Sequence, residues 1–472
     1  MPDPFVAIGG DAAGLSAASK LKREDPDREV IVFEKGSWVS YAHCGTPYYV
    51  KGEVENLEDL LSLSPTDIRD RGIDLRRHHE VVAVDTDAET VTVEGPEGTL
   101  TQPYGDLLVA TGAHAATGPF DVASLPGAFT LHGLDSAAAI RAYLTPPAAF
   151  DPADVSAYAD HDSLERYGGL APPERAAIVG GGYVGVEMAE ALVARGLDVT
   201  LFQRSGYLLP PFGEAVGEQV AEHLRERGVR VRTDTAVSAI EGADRVETVV
   251  HGDGRLDAGL AMVGVGIRPN VDVLEGALEL GASGAVATDE YGRTSVTGVY
   301  AAGDCAEAPH AVTGDPEWVP LGLTANRAGR AIGETIAGDP TPVGEIAGTA
   351  VVKAFDLGCG RTGIVDPDAA REAGFDPVSE TITAGSRSGY YPGAAETTVT
   401  LIADRTTGRL LGGATVGTDR AAKRVDTVAT AVDACMTVSE VERLDLGYAP
   451  PFSPVWDPVL VAAKVLAGRL PE

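Results

Sequence analysis

Two glycine-rich turns, each set between a short apolar strand and a helix, constrain this chain more than any other feature. The first unit runs from Phe5-Val6-Ala7-Ile8 through Gly9 and Gly14 into a helical pattern over Ala12 to Leu21. It then reaches the strand Val30-Ile31-Val32-Phe33, closed by Glu34. The second begins at Ala176-Ala177-Ile178-Val179, passes Gly180, Gly182 and Gly185, and ends at Val199-Thr200-Leu201-Phe202. A strand, a tight turn and a helix in this order aim backbone N–H groups and the positive end of a helix dipole at one point, which suits a pyrophosphate. One such turn is a weak signal, since glycines also simply end strands. Two copies predict an α/β chain with two Rossmann-like dinucleotide-binding domains.

The two copies differ at the residues that would choose a nucleotide. In the first, Asp11 holds the middle glycine position, and Glu34, twenty residues after Gly14, is placed to accept hydrogen bonds from ribose hydroxyls. In the second, the strand-end acid is missing, and Gln203 and Arg204 follow Phe202. An amide and a guanidinium remove repulsion and offer a clamp for the 2′-phosphate of NADPH, in preference to NADH.

Cysteine usage narrows the chemistry. Cys44 lies just past the first unit, in Ser40-Tyr41-Ala42-His43-Cys44-Gly45-Thr46-Pro47-Tyr48-Tyr49, with no second sulfur four or five residues away. A redox cycle at this position uses one thiol and an external partner. Cys305, Cys359 and Cys435 are dispersed, without zinc-type or CxxC spacing, and read as structural thiols with no metal. An imidazolium at His43 beside Cys44 would lower the thiol pKa and help it attack a disulfide.

At 472 residues the chain exceeds one ordinary core and divides into roughly three domains. Asp plus Glu number 70 against 37 Lys plus Arg, a formal charge of −33, which argues against a nucleic-acid partner. The acidic excess is spread along the chain and reads as adaptation to a salt-rich interior. No apolar run is long enough for a membrane. No signal peptide precedes Phe5, so the cytoplasm is the expected compartment.

Further motifs turn these readings into a resemblance. Leu107-Leu108-Val109-Ala110-Thr111-Gly112 resembles the crossover motif of the pyridine nucleotide-disulfide oxidoreductases, and Thr294 through Ala301-Ala302-Gly303-Asp304 resembles their second FAD motif. Gly264-Val265-Gly266 with Arg268-Pro269-Asn270 is similar to the segment that closes the nicotinamide domain. The resemblance covers essentially the whole length. It implies a discontinuous FAD-binding domain over 1–130 and 285–345, an NAD(P)H-binding domain over 131–284, and a C-terminal α+β dimerisation domain over 346–472. The Pro-, Ala- and Asp-rich stretch 146–173 reads as an acidic surface insertion or linker. The cofactor-binding residues implied are Gly9, Asp11, Ala12, Ala13, Gly14, Glu34, Lys35, Val81, Thr111, Gly112, Asp304, Gly180, Gly182, Tyr183, Gly185, Gln203, Arg204 and Gly266.

Within that family the single cysteine resembles the coenzyme A-disulfide reductase branch. The branch implies a mixed disulfide between Cys44 and coenzyme A, electrons passing from NADPH (or NADH) through FAD, and a homodimer whose tyrosines reach across the interface. Tyr390, in Gly389-Tyr390-Tyr391-Pro392, and Tyr448, in Tyr448-Ala449-Pro450-Pro451-Phe452-Ser453, are similar to those tyrosines. Ser16, Lys20, Arg23, Ser40 and His43 are the implied substrate contacts, and the basic cluster Lys20, Lys22 and Arg23 suits phosphates. The chain departs from the branch at His43, where Asn is common, and at Trp456, where a lysine is expected.

Three rivals remain open from sequence. One is an NADH oxidase cycling Cys44 through sulfenic acid, which the Ala12 position argues against because those relatives carry histidine there. A persulfide or polysulfide reductase is the second. The third is an electron-transfer flavoprotein reductase in which Cys44 is inert.

Overall fold

Phe5–Ile8 is four consecutive apolar residues, all buried, and so forms a strand covered on both faces rather than a surface ribbon. It stands at the centre of a five-stranded parallel sheet in the order Val299–Ala301, Asp106–Val109, Phe5–Ile8, Val30–Glu34, Asp74–Arg77. The computed structural model describes residues 3–252, 254–274 and 276–471. The first helix, Ala12–Glu24, packs against Gly322–Ile336 over the core of Leu15, Leu21, Ala328 and Ile332. Because the switch in strand order falls beside Phe5–Ile8, the crevice at its carboxyl end is where a ligand sits in such sheets.

The second unit repeats this plan. Arg230–Arg232, Asp198–Phe202, Arg175–Val179, Leu260–Val263 and Ala128–Phe129 form a second five-stranded parallel sheet. Ala128–Phe129 belongs here, so the second domain begins shortly before the expected boundary at 131. The return falls earlier as well: Leu274 and Leu278 pack with Val81 and Val286 in the core of the first domain, ahead of residue 285. An antiparallel pair, Ala113–Ala115 with Ile267–Pro269, joins the two domains where the chain crosses between them.

The stretch 146–173 is more than a linker. It contains the helix His161–Gly168, capped by Asp160, whose carboxylate accepts from Ser163 N–H. Leu164 and Tyr167, three apart on one face, are buried, and the Tyr167 ring lies 4.8 Å from that of Phe129. Two apolar residues among prolines and acids give too short a period to stand out in sequence.

From Ala350 the chain forms an antiparallel sheet of five strands, with Ala421–Asp433 and Pro458–Ala467 packed against it. The overall class is therefore α/β with two Rossmann-like domains and a C-terminal α+β domain. No described helix is long and apolar enough to cross a membrane.

Candidate active site

The first glycine turn is sterically closed to side chains. Gly9 has φ +116°, and a Cβ there would lie 2.1 Å from Ala110 O; one at Gly14 would lie 2.0 Å from Gly9 O. The second turn shows the same packing at Gly180 and Gly185, whereas a Cβ at Gly182 would meet nothing within 4 Å. Gly112 and Gly266 are open in the same way. Close backbone packing behind each turn and free space in front of it are what a dinucleotide pyrophosphate requires.

Glu34 accepts from Gly10 N–H at 2.9 Å and Gly36 N–H at 2.7 Å, which fixes it at the strand end. Burial pushes its carboxyl up, and these two bonds work against that. Thr111 and Gly112 are stitched to the domain link: Thr111 Oγ1 donates to Asn270 O at 2.6 Å, and Asn270 N–H donates to Gly112 O at 2.9 Å. Asp304 follows the strand Val299–Ala301, its carboxyl raised by burial, and Trp318 Nε1 donates to its carbonyl at 2.9 Å. Val81 is buried in the first-domain core with Phe33, and Ala13 is buried in the first helix. The first glycine turn with Glu34, Thr111, Gly112 and Asp304 has a chemistry that fits FAD, and the turn of Gly180, Gly182 and Gly185 one that fits NAD(P)H.

In the second domain Gln203 is drawn into the turn: its Oε1 accepts from Gly181 N–H at 2.9 Å, and its Nε2 donates to Ser205 Oγ at 2.5 Å. Arg204 is exposed. Tyr183 opens the helix Tyr183–Ala194, with its ring edge-on to Phe212 at 5.4 Å.

Cys44 sits in the short turn His43–Gly45 ahead of the helix Thr46–Lys51. The segment is docked on the first glycine turn, with Ser40 N–H donating to Gly10 O at 3.0 Å and Tyr41 N–H to Asp11 Oδ1 at 3.1 Å. Ser40 adopts φ +51°, an uncommon conformation for a residue other than glycine and one that tends to mark functional turns. A Cβ at Gly45 would lie 2.2 Å from Leu60 Cδ2, so a larger residue there would have to displace the Leu60 side chain. Cys44 and Cys435 are exposed, while Cys305 and Cys359 are buried.

The expected effect of His43 on the sulfur is not what the geometry delivers. Its Nε2 meets Asp11 Oδ2 at 2.5 Å and its Nδ1 meets His132 O at 2.9 Å, so the ring is spent on the glycine turn and the neighbouring loop. Although Cys44 has an exposed edge, burial pushes its thiol up, and the carboxylates of Glu187 and Asp304 push it the same way. Asp11 likewise turns its carboxylate toward the redox segment through these bonds, not toward the front of the glycine turn.

A groove of about 440 Å³ opens beside the sulfur-bearing segment, lined by Asp11, Ala12, Ser16, Arg23, Ser40 and Tyr41. Of the expected contacts, Ser16, Arg23 and Ser40 line it. Lys20 is diverted: its ammonium binds Glu24 at 2.5 Å and Glu334 at 2.9 Å. Lys22 donates to Pro26 O and Arg28 O in the loop after its helix, away from the groove. Arg71, Asn326 and Arg330 complete the wall, and sequence reasoning missed them. They come from distant segments, and only the packing of Gly322–Ile336 on the first helix brings them in.

Also unforeseen was a cluster on the other side of the sulfur. Tyr48 Oη donates to Glu187 Oε1 at 3.0 Å, and Glu190 receives Lys51 at 2.6 Å and Lys353 at 2.8 Å. Tyr390 is 78% exposed and Tyr448 51%. With Phe452, Val455 and Trp456 they leave large apolar side chains uncovered on the C-terminal domain, and no described hydrogen bond joins either tyrosine to Cys44. Lys464 places its ammonium 5.3 Å from the Trp456 ring, so a cation stands beside the position where lysine was expected. No cluster of metal ligands occurs among the described residues.

Two nucleotide folds meeting at one exposed thiol define a flavin-dependent oxidoreductase. The chain belongs to the pyridine nucleotide-disulphide oxidoreductase family, whose model matches residues 4–324, with the family's dimerisation domain matched over 349–458. It is 39% identical over 470 residues to the NAD(P)H coenzyme A polysulfide/persulfide reductase of Pyrococcus horikoshii, covering 99% of each chain. Against the coenzyme A disulfide reductase of Staphylococcus haemolyticus the identity is 27%, over 95% of this chain and 96% of that one. Among solved structures, the NAD-dependent persulfide reductase from A. fulgidus superposes with a TM-score of 0.89 at 33% identity, over 99% of this chain and 83% of the other.

Proposed function

We propose that this chain reduces coenzyme A disulfide, or a related low-molecular-weight disulfide, with NAD(P)H, through a mixed disulfide on Cys44. The observation that carries this reading is the exposed Cys44 turn docked beside a groove that holds Arg23, Arg71 and Arg330 in an otherwise acidic protein. Guanidiniums match phosphate oxygens in a two-point geometry, and coenzyme A carries its phosphates at the end far from its sulfur. A groove with cations along one wall and a thiol at its neighbouring turn suits such a ligand.

Bound FAD would supply the relay that takes a hydride from NAD(P)H and returns an electron pair to the sulfur. The chain's own residues do the rest. Cys44 thiolate attacks the disulfide, its new S–S bond forms as the old one breaks, and one coenzyme A thiolate leaves and takes a proton. The returning electron pair cleaves the mixed disulfide, restoring Cys44 and freeing the second thiol. Overall, NAD(P)H, one proton and one disulfide give NAD(P)+ and two thiols. In a homodimer, the partner subunit's Tyr390 and Tyr448 would cover the site and donate to the leaving thiolate; their exposure in the single chain supports that role.

A persulfide or polysulfide as oxidant is the second reading, favoured by the names of the relatives at 39% and 33% identity. It would use the same sulfur. Mass spectrometry of the purified protein for a coenzyme A adduct on Cys44, followed by turnover with coenzyme A disulfide and with coenzyme A persulfide, separates the two. An unmodified Cys44 together with no disulfide turnover rejects the first.

A further inference from the structure

Asp11 departs from glycine at the middle of a phosphate-binding turn, and His43 stands next to the reactive sulfur; the two side chains meet. Asp11 spends both carboxylate oxygens on the redox segment, Oδ1 on Tyr41 N–H at 3.1 Å and Oδ2 on His43 Nε2 at 2.5 Å. The other ring nitrogen, Nδ1, lies 2.9 Å from the carbonyl of His132. A carboxylate and a carbonyl only accept, so each ring nitrogen must donate, and the ring that satisfies both bonds carries two protons. The Tyr41 ring stacks on this imidazolium at 4.1 Å between centroids.

We infer that Asp11 and His43 are a positioning pair that clamps the Cys44 turn onto the first glycine turn, and that the clamp holds only while His43 is doubly protonated. Neither residue needs to touch the reacting sulfur. Losing the second proton turns one ring nitrogen into an acceptor, which then faces another acceptor at Asp11 or His132, and the contact becomes repulsive.

The groups around His43 set the direction of the change. Asp11 faces it from the glycine turn, Asp304 from the second FAD motif, Tyr41 from its own segment, and the His132 ring at 5.6 Å from the loop ahead of the next helix. His132 in turn feels His114 and Lys35. Burial of the ring works against its charge, but the bond to Asp11 and the two carboxylates prevail, so His43 titrates above the ordinary histidine value. The clamp is therefore complete in acid and is lost as pH rises through that raised value. Cys44 ionises in the opposite sense, becoming reactive as pH rises. The turn is both aligned and nucleophilic only between the two limits.

The inference takes Cys44 to be the reacting sulfur, but its test reads the turn itself, so it stands or falls independently of which disulfide is reduced. Amide hydrogen exchange on the FAD-loaded protein, corrected for intrinsic rates, follows the peptide over Ser40–Gly45, where four amides are hydrogen-bonded. In the native protein the protection should fall about tenfold as pH rises through the His43 titration. Asp11→Asn should show the low protection at every pH. His43→Asn, which keeps a donor without a titrating proton, should show protection that does not change over the same range. Equal protection in the native protein and in Asp11→Asn at all pH values overturns the inference. Should Asp11→Asn fail to fold, the histidine carbon resonance that His43→Asn removes can be titrated in the native protein. A midpoint at or below that of an exposed histidine also overturns it.

Discussion

Tyr48 Oη donates to Glu187 Oε1 at 3.0 Å, so the helix that follows Cys44 is tied to the helix that follows the second glycine turn. Burial pushes the Glu187 carboxyl up to about 7, with its Glu190 neighbour adding to the shift and Tyr48 opposing it. Tyr48 is raised well beyond its ordinary value by burial and by the same carboxylate, so it is the donor in this pair. The bond joins the Cys44 turn to the second nucleotide fold.

After burial, the Glu187 carboxylate does most to hold the Cys44 thiol up. Glu187→Gln should therefore move the midpoint of Cys44 alkylation by iodoacetamide toward acid. The linkage to stability has a definite sign: a carboxyl that titrates higher folded than unfolded makes the fold lose stability as pH rises from about 4.5 to about 7. The loss is on the order of 3 kcal/mol at most, from the size of the shift. In Glu187→Gln the melting temperature should stay flatter across that window. An alkylation midpoint unmoved, or moved toward alkali, would show that the carboxylate does not act on the sulfur.

Cys44→Ser should abolish disulfide turnover, by at least about a thousandfold, since a hydroxyl neither forms nor releases a mixed disulfide. The residue is exposed in a three-residue turn, and the change removes no core volume. Its melting temperature and bound flavin should match the native protein. Turnover within a factor of ten of native would place the reacting group elsewhere.

The sequence carried what is local. Two strand-turn-helix units could be read because each lies within about thirty residues, where the spacing of glycines and apolar residues is set by one turn and one helix. Cys44 stood out by the absence of a neighbouring sulfur. What escaped was built by contact at long range. Lys20 and Arg23 are three apart on one helix, and nothing local says that Glu334 takes the first while the second reaches the groove. Arg71, Asn326 and Arg330 lie far from the motif they join, as do the partners Tyr48 and Glu187. His43 stood out beside Cys44, but its ring meets Asp11, which a one-dimensional reading places at the phosphate.

Arg23→Ala, Arg71→Ala and Arg330→Ala should each raise KM for coenzyme A disulfide about tenfold with kcat little changed, as expected for a lost charge-assisted contact to phosphate. The effect should shrink when dephospho-coenzyme A disulfide is the substrate if the arginine in question meets the 3′-phosphate. Lys20→Ala removes a side chain already paired with Glu24 and Glu334, so it should lower the melting temperature more than it raises KM. A Lys20 variant with the largest KM effect of the four would mean that its ion pairs open to receive the ligand.

A formal charge of −33 is a global load on the fold that the local contacts do not remove. Ion pairs such as Lys423 with Asp426 and Arg371 with Asp368 are exposed and contribute little each, while the chain carries 70 acidic side chains against 37 basic ones. At about 0.1 M salt the screening length is roughly 10 Å, enough for neighbouring carboxylates to repel; at about 1 M it is roughly 3 Å. The melting temperature should therefore climb steeply with potassium chloride up to about 1 M and then level off. Sodium and potassium chloride should act alike at equal ionic strength, because screening does not depend on which cation supplies it. Sucrose, which favours compact states without screening, should not reproduce the low-salt rise. A melting temperature that is flat in chloride would mean that the acidic surface is already solvated without strain, and that its composition answers to something other than ionic strength.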